Sequence, residues 1–249
     1  MRNIWTIAKR EYDHYFISPI AFVVAFIILF SIGIYFVYIV RVTSQQALFG
    51  GAPTPDITPI TWLFTFLLVF TTPALTMRLI SEEARMGTLE LMLTAPVRDF
   101  ELVAGKWLGG MLLILTILAV TAIYPILLNS FVDPGIDLRL TLSAYLGVVL
   151  VAASFLALGV GISAVFTNQF AAFFTTFGLF FLIWFMMALP ANLVQGSGGD
   201  IFRYIDMSAH FLDSLNQGII NLSDLVYYIS LIALGLFTGT VAVEMRRWR

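Results

Sequence analysis

Six stretches of about twenty or more residues run through this chain almost without charge, and no other feature limits its folding options as sharply. About 20 consecutive apolar residues cross a bilayer core as a helix. The runs cover residues 19–40, 59–79, 106–131, 140–166, 169–189 and 225–243. The expected fold class is therefore an all-α polytopic membrane protein, a single domain over residues 1–249. Composition agrees: 60% of residues are hydrophobic and 11% charged, where soluble domains are nearer half and about a quarter. The first run follows a mixed-charge segment and is too long for a signal-peptide core, so it reads as a retained span.

An even number of spans places both termini on one side. That side collects Arg2, Lys9, Arg10, Arg78, Arg85, Arg98, Lys106, Arg246, Arg247 and Arg249; the other has only Arg41, Arg139 and Arg203. Basic residues mark the cytoplasmic face, so both termini are expected in the cytoplasm. With a net charge of -2, no general attraction to nucleic acid is expected. The absence of Cys excludes disulfides, thiol catalysis and cysteine metal sites.

The span interiors read as free of Asp, Glu, Lys, Arg and His. Ionisable groups inside a membrane usually mark proton relays or ion paths, so their absence argues against a proton-driven carrier. Small residues recur four apart at Gly105 and Gly109, at Ala153, Ala157 and Gly161, and at Gly235 and Gly239. Such spacing lets helix backbones approach closely, within one subunit or between two. The Phe-rich run from Phe170 reads as lipid-facing bulk or as a greasy lateral opening for an amphiphilic cargo. Thr65, Thr71, Thr72, Thr116, Thr121, Asn129, Ser154, Ser163, Thr175 and Thr176 offer no distinctive recognition group, since such side chains can bond their own helix backbone.

Charge is concentrated in one interior connection, residues 80–105 with its flanks. Ser81, Glu82, Glu83 and Arg85 prolong the second span into water until Gly87, a plausible stop. Thr88 can cap a short helix made of Leu89, Glu90, Leu91, Met92, Leu93 and Thr94, which Pro96 closes. That helix is apolar nearly all round, and on the water side it needs a cover: a cytoplasmic partner, or the lipid headgroups. Asp99 can cap the helix that enters the third span, with Glu101 in its first turn. At the N-terminus, residues 1–17, Asn3 can cap an amphipathic helix. Ile4, Trp5, Ala8, Tyr12 and Tyr15 form its apolar stripe, and Thr6, Lys9, Arg10 and Asp13 lie on other faces.

The stretch "EEARMGTLELMLTAPVRDFELVAGKW" resembles the cytoplasmic loop of ABC-2-type transporter permeases, and "SAHFLDSLNQGIINLSDLVYYIS" resembles their outer segment before the last span. The nearest flavour is the branch associated with gliding motility and nitrous-oxide-reductase maturation. The resemblance implies the membrane subunit of an exporter in the inner membrane of a prokaryote, driven by two separate ABC ATPase subunits. A second permease copy or paralogue would complete it as a homodimer or heterodimer, with an outer accessory protein as a further candidate partner. It also implies that residues 88–94 form a coupling helix seated on the ATPase, flanked by Glu82, Glu83, Arg85 and Gly87. Trp5, Lys9, Arg10 and Tyr12 would then belong to an interface helix. ATP and Mg would bind the partner, with no cofactor on this chain, which has no Gly-x4-Gly-Lys-Ser/Thr and is not expected to be an enzyme.

Residues 190–224 form the outer segment. "QGSGGD" reads as a turn, and residues 205–218 as a helix with Ile205, Phe211, Leu212 and Leu215 apolar and Gly218 as its stop. Ser223 can cap the last span. Asp206, His210 and Asp213 fall near one helix face, an arrangement that suits a surface helix far better than a metal site. The family resemblance implies short re-entrant helices here, so His210, Phe211 and Gly218 are candidate outer-gate residues. Two other function classes compete. An intramembrane enzyme would need a Ser/His pair, a zinc motif or an Asp cluster within the bilayer, and His14 and His210 lie outside the spans on opposite sides. A membrane platform transmitting mechanical work to a motility, secretion or maturation apparatus shares every feature above except cargo.

Overall fold

The computed structural model describes residues 2–48, 56–88, 97–132, 135–193 and 197–247. Among these there is no strand, and six helices are long and apolar enough to cross a membrane. The N-terminal helix (Arg2–Tyr15) precedes span 1 (Pro19–Leu48) and span 2 (Thr58–Thr76). An elbow helix (Ser81–Met86) follows, then span 3 (Asp99–Thr121), extended by Ile123–Phe131. Span 4 is Leu138–Val165, and span 5 is Gln169–Phe181 continued by a π-helical turn at Leu182–Met186. Short helices at Ala188–Leu193, Ser197–Ile205 and Met207–Leu212 and a 3-10 turn at Leu215–Gln217 lead to span 6 (Leu222–Arg247).

Two helices reach well beyond their apolar runs. Span 1 continues past Val40 to Leu48, where Thr43 and Ser44 turn their hydroxyls back onto the Ile39 and Val40 carbonyls. Span 3 begins at Asp99, so Lys106 sits inside a helix and not at its edge. The breaks have local causes. Pro125 has no N–H for the Thr121 carbonyl, and the Tyr145 hydroxyl of span 4 donates to that oxygen at 2.9 Å. Pro190 likewise deprives the Met186 carbonyl of its partner, at the end of the π turn.

Span 4 is the centre of the bundle and the most deeply buried span; spans 1 and 5 are the most exposed. Small residues explain how its neighbours come so close. A Cβ on Gly161 would lie 2.6 Å from the Gly235 carbonyl oxygen, and Gly159 faces Thr76 of span 2 with no room for any side chain. The two glycine-rich stripes of spans 4 and 6 therefore pack against each other within one subunit, the intrasubunit reading of their spacing. Polar links reinforce the centre: Ser154 donates to the Tyr228 carbonyl at 3.2 Å, and Trp107 donates to that of Ala153 at 2.9 Å. Arg246 closes the bundle by donating to the Ala164 and Val165 carbonyls, unpaired acceptors at the C-terminal end of span 4.

Candidate functional site at the terminal end of the bundle

The N-terminal helix lies along the first turns of span 3. Gly105 and Gly109 make the seat. A Cβ on Gly105 would meet Ile7 at 2.7 Å, and one on Gly109 would meet the Glu11 Cβ at 2.6 Å. Ala8, between them on the same face, is fully buried there.

 

That packing decides which face of the helix is inside. Ala8, Glu11 and Tyr15 are buried, Ile4, Ile7 and Tyr12 are half-buried, and Trp5 is 59% exposed. The expected stripe is therefore corrected at two positions: Trp5 points away from the bundle, and Glu11 replaces it on the packed face. Lys9 and Arg10 are exposed, and the Tyr12 hydroxyl meets Thr116 of span 3 at 2.9 Å. Asn3 does not cap the helix; its amide donates to Glu101 at 3.1 Å and ties the two helices together. Glu101 also accepts from the Arg98 backbone N–H at 3.1 Å, so Arg98 holds the N-cap position expected of Asp99.

A buried charge cluster explains why Glu11 belongs inside. The Lys106 ammonium is 1% exposed and donates to Glu11 at 3.0 Å and to Glu83 at 2.8 Å. One side chain thus joins the N-terminal helix, the elbow helix and span 3. Burial alone would raise the Glu11 carboxyl, but the Lys106 ammonium and then the Arg10 guanidinium outweigh it and hold the group below the usual carboxylate range. In the sequence Lys106 reads as a charge flanking an apolar run, and Glu11 does not stand out. The available signal was an acid at position 11, in register with the packed positions 4, 8 and 15 of an amphipathic helix.

The elbow is pinned from the centre of the bundle. Between Thr76 and Ser81 the chain leaves regular helix, and Ser163 of span 4 accepts from the Ile80 and Ser81 N–H groups, each at 3.2 Å. Ser163 thus serves a neighbouring helix, as does Ser154, whereas Thr65, Thr71 and Thr116 do bond carbonyls of their own helices. Arg78 pairs with Glu82 at 3.0 Å, one helical turn away. Arg85 is exposed, and Gly87 ends the elbow helix with a φ of +73°, a left-handed conformation that favours glycine. Thr88 turns its hydroxyl back to the Glu83 carbonyl at 3.3 Å. Leu89, Glu90, Leu91, Met92, Leu93 and Thr94 lie outside the described residues.

At the opposite end, the short helices pack between spans 2 and 4. Ser143 donates to the Leu215 carbonyl at 2.8 Å, and Thr61 donates to Asn216 at 2.6 Å. Phe211 is fully buried over Gly147, and Gly218 ends the 3-10 turn with a φ of +84° beside Leu140. His210 stacks on Tyr227 at 4.1 Å, with Nδ1 2.7 Å from Asp224 and Nε2 3.0 Å from the Tyr204 carbonyl. Asp206 caps the Met207–Leu212 helix through Ser208. Asp206, His210 and Asp213 therefore do not gather, and no group of three or more such side chains placed to hold a metal occurs among the described residues. Three local expectations are corrected: the run from Ser197 is helical, not a turn; the helix expected over residues 205–218 is broken at Asp206 and again after Leu212; and span 6 starts at Leu222, which places Ser223 inside it.

Span 5 presents its aromatics on several faces. Phe180 is buried and stacks on Phe155 at 4.2 Å, while Phe170 and Phe174 project outward. Between them Phe177, Phe181 and Phe185 form a file that meets Phe66 and Phe70 of span 2.

Six apolar spans, with an N-terminal helix locked to the third, define a polytopic all-α membrane protein. The chain belongs to the ABC-2 family of transporter proteins, whose family model matches residues 5–234. It is thus a membrane permease component of an ABC transporter, a class that works with ABC ATPase subunits in the lipid bilayer. No curated protein matches the chain.

Proposed function

We propose that this chain is the force-receiving permease subunit of an ATP-driven exporter, with both termini in the cytoplasm of a prokaryotic cell and the bundle in its inner membrane. The observation that carries the reading is the Lys106 cluster, which links the elbow helix, the N-terminal helix and span 3 through one buried ammonium. Residues 88–94 follow that elbow in the sequence and serve as the coupling segment. Two ATPase subunits bind ATP and Mg and grip two permease chains through this segment and the N-terminal helix. A push on the elbow passes along three helices at once, because Ser163 and Lys106 hold it to the bundle. ATP-driven closure of the partner dimer then moves the spans between access states. The aromatic file on spans 2 and 5 suits an amphiphilic, membrane-accessible cargo.

The test is Leu89→Asp or Leu91→Asp. A carboxylate in an apolar docking face abolishes copurification with the ATPase and abolishes transport, while membrane insertion persists. Normal copurification of either variant with its ATPase refutes the docking assignment.

A further inference from the structure

Beside the charge cluster lies a cleft of about 650 Å³ between the end of the N-terminal helix and the end of span 2. Its two halves differ in chemistry. The wall nearer the membrane interior is apolar, formed by Ile20 in the first turn of span 1 and by Ala74 and Leu75 in the last turn of span 2. The outer rim carries Arg10, His14 and Arg78.

The charges sort by depth. Lys106, Glu11 and Glu83 form the deep wall, with side chains only 1%, 10% and 15% exposed, and Lys106 donates to both carboxylates. The rim is open: the Arg78 side chain is 40% exposed and pairs with Glu82, the Arg10 side chain is 55% exposed and pairs with Glu11 at 3.2 Å, and His14 is exposed. Arg78 binds Glu82 through Nε and Nη2, and these bonds leave its Nη1 hydrogens to donate elsewhere. An apolar floor under a cationic rim, at the level where two spans leave the bilayer, matches an amphiphile with an anionic head.

We propose that this cleft binds a glycerophospholipid of the leaflet on the side of the termini, its phosphate on Arg78 and His14 and an acyl chain along Ala74, Leu75 and Ile20. A free phosphate would use only the rim and leave the apolar wall unfilled. The lipid fills the gap between the N-terminal helix and span 2 and so contributes to holding that helix in place.

The experiment measures the melting temperature of the delipidated full-length chain in mild detergent, with three additives. Dioleoyl phosphatidylglycerol raises it; dioleoylglycerol, which has the same tails and no phosphate, and glycerol 3-phosphate, which has no tails, do not. Arg78→Gln combined with His14→Gln raises the half-saturating lipid concentration about tenfold or more, as the loss of charge-assisted hydrogen bonds requires. Ala74→Phe fills the apolar half, leaves every charge in place and weakens the lipid effect as well. Equal protection by dioleoylglycerol or by glycerol 3-phosphate overturns the proposal. So does an undiminished phosphatidylglycerol effect in both variants, and the three-additive comparison on the unaltered chain stands even where a variant fails to fold.

Discussion

Lys106→Met puts the terminal end of the bundle to its most direct test. The substitution keeps most of the side-chain volume and removes the ammonium that two carboxylates share. At 3.0 and 2.8 Å, each contact is worth about 5–6 kcal/mol of gross attraction at an effective dielectric of roughly 20, and desolvation offsets much of it. The net loss is governed by what remains. Glu83 stays mostly buried without the ammonium, and Glu11 keeps only the exposed Arg10 guanidinium at 3.2 Å; stranding buried charge in this way costs up to about 3–5 kcal/mol. The N-terminal helix is the element best able to relieve that cost, by lifting off span 3 and hydrating Glu11. Hydrogen exchange over residues 2–15, measured in detergent micelles, should therefore accelerate about a hundred- to a few thousand-fold, less where the helix already opens readily. The triple variant Glu11→Met, Lys106→Met and Glu83→Met supplies the control. Replacing the whole cluster by apolar groups is neutral or stabilising where removing one member is not, so the triple variant should regain protection. Unchanged exchange in Lys106→Met, or a triple variant as exposed as the single one, would refute the claim that this ammonium fastens the helix.

Three further outcomes follow from the same geometry. Gly109→Leu drives a side chain into Glu11 and the Ala8 carbonyl, and should destabilise the helix seat by about 1–3 kcal/mol in a thermal melt; an unchanged melt would contradict the backbone approach described here. Ser163→Ala removes the acceptor for the Ile80 and Ser81 N–H groups and should cost about 1–3 kcal/mol, read as faster amide exchange at residues 80 and 81 than in the unaltered chain. The Glu11 carboxyl is held below its ordinary value of 4.5, so its contribution is full above that value and is lost as pH falls through the lowered one. Glu83, on the same ammonium, is raised by burial and so contributes with the opposite sign; in Glu83→Gln, protection of residues 2–15, corrected for intrinsic exchange, should therefore fall on acidification from about pH 5 to about 3, and protection that rises over that range would reverse the sign.

The spans were legible because lipid imposes a single strong requirement, and long apolar runs such as that of span 4 satisfy it without reference to the rest of the chain. The Gly105 and Gly109 spacing was legible too, although it named a close approach and not the partner. The charge cluster was not. Lys106 and Glu11 are 95 positions apart, and whether a lysine at the start of an apolar run faces water or a carboxylate depends on a helix that periodicity cannot dock. The same ambiguity misplaced Trp5, since an amphipathic stripe is read from hydrophobicity, whereas Glu11 is inside because its charge is matched. Asn3 and Asp99 are good capping residues by type, yet a tertiary hydrogen bond and the exact start of the helix decided their roles.

The contact between Gly161 and Gly235 has a mechanical consequence. Main chain rests on main chain there, so the contact itself holds no flexible side chain to absorb a shift, and Ser154 and Arg246 stitch the two spans together on either side of it. The pair is stiff in the way a laminated beam is stiff. Any rearrangement of this protein will turn spans 4 and 6 together as one piece, leaving the loosely held spans 1 and 5 to swing around it.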